Sequence, residues 1–381
     1  MDKKTITNDP LLLQLYQRKQ LRPATIRLYE SSLYKYCTLI NKTPSELRHE
    51  AYHEQINQPD KLSRKINTYL IQYHNSLIQE GLSRGSIKTL TDKIRAFYNE
   101  YDIELPKRII FREEKRITKK SDLITIDTIR QAVQDTPNLK YKSIFLLLAT
   151  SGMRSGDLRN LRIKDFMEAM GYPEQPINTL FTKKEIKETI PCFEYLSQKT
   201  NEHTITFITP EARDYTIQYL KTRPEANIND YLFLSRDHLQ YTKTAITSIF
   251  RHTNNRHNWG YKTNNHNRLF FHAHGLRGFF STILNNNGVP YSIYKKMMGQ
   301  TLKGVDTAYI NVDRESCQRE YTRCINDLSI NKVEVYDFKT DEYLRLEKDN
   351  QIKEDRLKEL EKKDKMREEQ MKRVLDELKL E

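Results

Sequence analysis

Four cysteines, Cys37, Cys192, Cys317 and Cys324, are scattered through 381 residues without one Cys-x-x-Cys pair. That argues against a zinc module and for a reducing compartment. Metal-site spacing is missing elsewhere too. His252, His257, His266, His272 and His274 crowd one stretch, but no His-x-His-x-Asp or Glu-x-x-His grouping accompanies them there. A metal nuclease would suit a basic protein, yet such a site normally enlists a carboxylate, so no metal is expected. Long hydrophobic runs are absent as well. No apolar stretch approaches the ~18 residues of a spanning helix, and Met1 to Pro10 lack the apolar core of a signal peptide. The expectation is a soluble, cytoplasmic protein with no membrane partner.

What the chain has in excess is positive charge. Its 64 Lys and Arg stand against 51 Asp and Glu, a formal net charge of +13, while only 37% of residues are apolar. A polyanion, most economically nucleic acid, is the partner this implies. The charge is uneven: from Thr340 to Glu381 there are 12 basic and 14 acidic residues, a net of −2, which leaves +15 on the rest. The basic field belongs to the body.

Hydrophobic periodicity divides that body. Residues 1–10 read as an N-terminal tail and 11–105 as a helical domain. Its segments are marked by Leu12, Leu15 and Tyr16, by Ile26 to Leu39 with Thr25 as N-cap, by Leu62 to Glu80, and by Ser86 to Glu100. On the last segment Ile87, Leu90, Ile94 and Phe97 face inward, and Lys88, Lys93 and Arg95 stud the polar side as DNA-binding candidates. Residues 106–121 form a basic linker, where Arg112, Lys115 and Arg116 could follow a duplex backbone. Residues 122–333 mix periods: Ile129 to Val133 and the very apolar Tyr141 to Ala149 are helical, and Cys192 to Ser197 and His203 to Ile208 alternate as strands of a hairpin. Helices resume near Glu211, Thr242, Leu276, Ser292 and Lys303, and Arg251 to Arg268 reads as a polar loop. The tail, 340–381, carries a broken heptad from Tyr343 to Leu378, a helix or coiled coil of modest stability. The fold class is mainly α with a small β component.

Phosphodiester chemistry is written in four places. Arg154 lies in Ser151-Gly-Met-Arg-Ser-Gly-Asp157, a glycine-flanked turn after the buried helix, with Asp157 three residues on to orient its guanidinium. His274 and Arg277 share a helix face. Met298-Gly-Gln300 follows, and nine residues later Tyr309. Two guanidiniums, a histidine and a tyrosine hydroxyl can hold a phosphate, neutralise developing charge and attack it.

In this order the motifs resemble the tyrosine recombinase (phage integrase) family over residues ~11–328, most strongly at these motifs. The resemblance implies a helical core-binding domain and an α+β catalytic domain. Tyr309 would attack a scissile phosphate of double-stranded DNA, forming a 3′-phosphotyrosyl link and freeing a 5′-hydroxyl, with no ATP, divalent ion or other cofactor. It further implies that Arg154 and Arg277 stabilise the pentacoordinate charge, that His274 assists proton transfer, and that Lys199 at the hairpin turn is the general acid; Lys183 and Lys184 lack flanking strands. Gln300 stands where the family usually has His or Trp and can still donate a hydrogen bond, though it carries no charge. Four strand exchanges imply a homotetramer on two recombination sites, nucleoid-associated or encoded by a virus or mobile element. Asp313 to Leu328 would pack on a neighbouring protomer. A type IB topoisomerase-like nicking and rejoining enzyme, or a catalytically impaired DNA-binding architectural protein, would share much of this sequence.

Overall fold

The computed structural model describes residues 2–109, 120–182, 189–262, 265–302, 312–331 and 356. Tyr309, the helix expected near Lys303, Arg112, Lys115, Arg116, Lys183, Lys184 and the tail from Thr340, except Arg356, lie outside the described residues. The chain divides into two compact units, Met1–Arg116 and Ile117–Glu381.

The first unit is helical: α1 (Lys3–Thr7), α2 (Pro10–Arg18), α3 (Pro23–Ile40), α4 (Pro44–Asn57), α5 (Lys65–Gln79) and α6 (Arg84–Glu100). Prolines begin α2, α3 and α4, where the missing N–H is no loss and the fixed φ suits a helix. Three expectations are corrected here. The supposed tail contains α1, whose Ile6 is buried in the core. Arg22, not Thr25, is the N-cap of α3, because Pro23 already occupies the first turn. Helix α4 was not anticipated, since among its residues only Pro44, Leu47 and Ala51 are buried. It is set instead by a capping box, in which the Glu46 amide donates to Thr43 Oγ1 at 3.2 Å and the Thr43 amide to Glu46 Oε2 at 2.7 Å. The core includes the buried tyrosines Tyr36, Tyr73 and Tyr98; the hydroxyls of Tyr36 and Tyr98 pair at 3.2 Å, and Tyr73 donates to the Ser32 carbonyl at 3.2 Å. Each of these three phenols thus keeps a partner.

The second unit is built around its most apolar helix. After α7 (Ile126–Gln134) comes α8 (Leu139–Ser151), whose residues from Ser143 onward are all buried. A helix apolar all round belongs at the centre. Then follow α9 (Ser155–Asn160), α10 (Ile163–Ala169), α11 (Thr179–Thr182), the strands β1 (Cys192–Leu196) and β2 (His203–Phe207), α12 (Pro210–Lys221), α13 (Lys243–Arg256), β3 (Tyr261–Lys262), β4 (Asn265–Leu269), α14 (Ala273–Asn286), α15 (Tyr291–Met297) and α16 (Arg314–Leu328). The antiparallel hairpin pairs Cys192 with Phe207 and Leu196 with His203.

One further expectation fails in this unit. Arg251 to Arg268 is not a loop, for α13 runs to Arg256 and β3 pairs with β4. Its Asn254 is buried, donating to the Phe250 and Phe271 carbonyls at 2.7 Å each and accepting from the Phe271 amide at 2.9 Å. A polar residue here acts as a core latch. The segment Asp313 to Leu328 packs on its own chain: Cys317, Tyr321, Cys324, Ile325 and Leu328 are buried along one face of α16, and Tyr321 donates to the Thr150 carbonyl at 3.0 Å. Spacing of three and four residues gives α16 one apolar stripe, and α14, α15 and β2 of its own core pack against this helix. No helix among the described residues is long and apolar enough to cross a membrane.

Candidate active site

The end of α8 sets the first arginine. Gly152 closes the helix at φ +63°, and a Cβ there would stand 2.2 Å from the Phe280 ring, so only glycine lets α14 approach. Arg154 follows as the N-cap residue of α9. Its Nη1 donates to Ser197 Oγ at 2.8 Å and its Nη2 to the Gly299 carbonyl at 3.0 Å. Asp157, nearly buried, lies 4.0 Å from Nη1, and its two oxygens accept from Ser197 Oγ at 3.3 Å and the Gln198 amide at 3.0 Å. The carboxylate therefore orients Arg154 partly through Ser197, and ties α9 to the hairpin turn.

Arg277, on the first turns of α14, is only 5% exposed. Its Nη1 donates to the Gly152 carbonyl at 2.7 Å and its Nη2 to the Met298 carbonyl at 2.5 Å. Burial, and next the charge of Arg154, pull its pKa down to about 10, which still leaves it cationic at neutral pH. Neighbouring carbonyls, Met298 and Gly299, thus receive one guanidinium each, and this turn after α15 sets the two side by side. Thr200, on the hairpin turn, also donates to the Gly299 carbonyl, at 3.0 Å. Gly299 has φ +53°, and its Cβ would meet Thr204 Oγ1 at 2.4 Å.

The remaining described candidates surround this pair. Lys199 is exposed at the hairpin turn. Gln300 follows Gly299 directly, and its Oε1 accepts from Lys295 Nζ at 2.7 Å. His274, an exposed residue, precedes Arg277 by one turn; partial desolvation, then the charges of Arg268, Arg277, Lys262 and Lys199, lower its pKa. Its neutral form is favoured, the form that can accept a proton. Behind it, His272 Nδ1 meets the Phe270 carbonyl at 2.9 Å, and burial takes that ring down to about 4. Partly buried Tyr195 lies near Asp157, Arg277 and Arg154; burial raises its hydroxyl, keeping it neutral. Among the described residues no group of three His, Cys, Asp or Glu is placed to hold a metal ion.

Two arginines distant in sequence but seated on carbonyls of one turn, next to a histidine and an amide, make a receptor for a tetrahedral anion. The phage integrase family model matches residues 123–315, half of the chain. The chain belongs to the phage integrase family. It is a tyrosine-type site-specific recombinase acting on DNA. Among solved structures, an arginine-to-lysine variant of the Tn1549 transposon integrase in complex with a circular-intermediate DNA has the same fold, at TM-score 0.52 and 14% identity, with 84% of this chain and 99% of that chain covered. The XerH recombinase bound to palindromic difH substrate is similar at TM-score 0.49 and 13% identity, covering 78% of each chain. XerA recombinase is similar at 0.35 and 16%, covering 82% of this chain and 96% of that one. No curated protein matches the sequence.

Sequence reasoning missed Ser197, Thr200 and Lys295 in the recombinase, because a hydroxyl or lysine that supports another side chain has no spacing of its own. In the first unit, Lys88 is exposed, whereas Lys93 stands 4.8 Å over the Tyr29 ring and Arg95 donates to the Pro106 carbonyl at 2.8 Å. Arg84, Lys88, Arg95, Lys107 and Arg108 line one groove there.

Proposed function

We propose that Tyr309 is the nucleophile of the recombinase and that Arg154, Arg277, His274, Lys199 and Gln300 serve it, with Asp157 in support. The observation that carries this reading is the seating of both guanidiniums on the Met298–Gly299 turn. A scissile phosphate placed against them gains opposing charge as its pentacoordinate state forms. Tyr309 attacks phosphorus, the 3′-phosphotyrosyl bond forms, and the bond to the 5′ oxygen breaks. Neutral His274 takes the phenol proton, Lys199 gives one to the departing 5′ oxygen, and the Gln300 amide donates to a nonbridging oxygen. Attack by the 5′-hydroxyl of a partner strand reverses these steps, so the bond energy is conserved without ATP.

Exchange of four strands calls for a homotetramer on two DNA sites. The groove cations of the first unit, with Arg112, Lys115 and Arg116, supply sequence-independent grip. The carrying experiment is a nicked suicide substrate in EDTA. Wild type should give an SDS-resistant adduct and Tyr309→Phe none; an adduct that persists in Tyr309→Phe assigns the nucleophile elsewhere.

A further inference from the structure

We infer that Lys295 is a positioning residue for catalysis: it locks the Gln300 amide with its N–H group toward the scissile phosphate and supplies, through that contact, the positive charge that glutamine lacks. The inference rests on the proposed role of Gln300. A glutamine amide has two unlike ends. Turned one way it offers N–H donors to a phosphate oxygen; turned the other it offers a carbonyl oxygen, which a phosphate repels. Lys295 decides between them.

An ammonium has three donors and no acceptor, so the amide end that meets Lys295 Nζ at 2.7 Å has to be Oε1. That leaves Nε2 as the other end. The lysine is itself constrained, its Nζ lying 5.0 Å from the Tyr291 ring centroid and 5.9 Å from that of Tyr294, and Tyr294 is pinned by a 2.8 Å hydrogen bond to Ser281. The Lys295 carbonyl also accepts from the Gln300 amide N–H at 3.0 Å, so backbone and side chain of the same residue fix the same glutamine. A charge on Oε1 polarises the amide and strengthens its N–H as a donor. The adjacent Lys296 points elsewhere, its Nζ meeting His203 Nδ1 at 2.9 Å.

The test is a double-mutant cycle on the full-length chain, read as the single-turnover rate of adduct formation on a suicide substrate, with DNA affinity and melting temperature measured alongside. Lys295→Ala and Gln300→Ala should each slow cleavage roughly ten-fold, the scale of one oriented hydrogen bond to a charged group. The double variant should be no slower than Gln300→Ala alone. Lys295→Arg, which keeps a donor-only cation, should recover most of the rate, and Lys296→Ala should combine with Gln300→Ala by simple multiplication. Multiplying losses for Lys295 and Gln300, or a loss that follows DNA affinity, would overturn the inference and make Lys295 a grip residue. Absence of any Tyr309-dependent adduct in the wild type would instead strike the reading of the chemistry itself.

Discussion

Gly299→Ala tests whether the Met298–Gly299 turn sets the active site. A Cβ at this position would lie 2.4 Å from Thr204 Oγ1 and 3.3 Å from Arg154 Nη1. Ordinary van der Waals contact begins near 3.4 Å, so turn and hairpin must separate by about 1 Å. The positive φ of 53° adds strain of about 1 kcal/mol for a residue with a Cβ. Because the Gly299 carbonyl accepts from both Arg154 and Thr200, the displacement passes directly to a guanidinium. A misplacement of about 1 Å costs about 100-fold in rate where catalysis depends on fixed geometry. Melting should fall by only about 2–4 °C, the scale of 1 kcal/mol for a unit of this size. Single-turnover adduct formation and a thermal melt separate these effects. Thr204→Ala removes the obstructing hydroxyl, so the double variant should regain most of the rate while keeping the strain. A Gly299→Ala protein that cleaves like wild type, or one that Thr204→Ala fails to rescue, would refute the reasoning.

Arg154→Ala and Arg277→Ala should each cost about 3–4 kcal/mol of transition-state stabilisation with little change in DNA affinity; equal losses of binding and cleavage would make them grip residues. Arg277→Ala should also lower stability by about 1–3 kcal/mol, since the Gly152 and Met298 carbonyls lose their donor, and urea melts would measure it. The His272 ring, at about 4 in the folded chain and about 6.5 unfolded, binds fewer protons folded than unfolded between those values. Its contribution to stability is full above the unfolded value and is lost as pH falls from there through 4, so the urea midpoint should drop between pH 7 and pH 4 less steeply in His272→Asn. Deleting Thr340 to Glu381, nearly neutral in sum, should leave single-site cleavage intact and weaken pairing of two sites, measured by native mass spectrometry and a two-site recombination assay; a truncated chain that pairs normally rejects an assembling tail.

Sequence by itself determined the features that depend on near neighbours along the chain. A residue pattern of three and four spells a helix, alternation spells a strand, and so α8, α14 and the β1–β2 hairpin were legible, as was the resemblance to the family whose model matches residues 123–315. Where local pattern is thin, it misled. Helix α4 shows almost no apolar face and depends on the Thr43–Glu46 cap, while the Asn- and His-rich run to Arg268 looked like solvent because nothing local reveals that Asn254 spends its hydrogen bonds on Phe250 and Phe271. Only the tertiary structure decided how the site is held. The carbonyls of Gly152, Met298 and Gly299 carry no side-chain signature, yet they seat both guanidiniums. The same holds for the contact of Lys295 with the Gln300 side chain. A hydrogen bond to a backbone oxygen is blind to residue type, so it leaves no trace in sequence until the chain has folded and brought the two ends together.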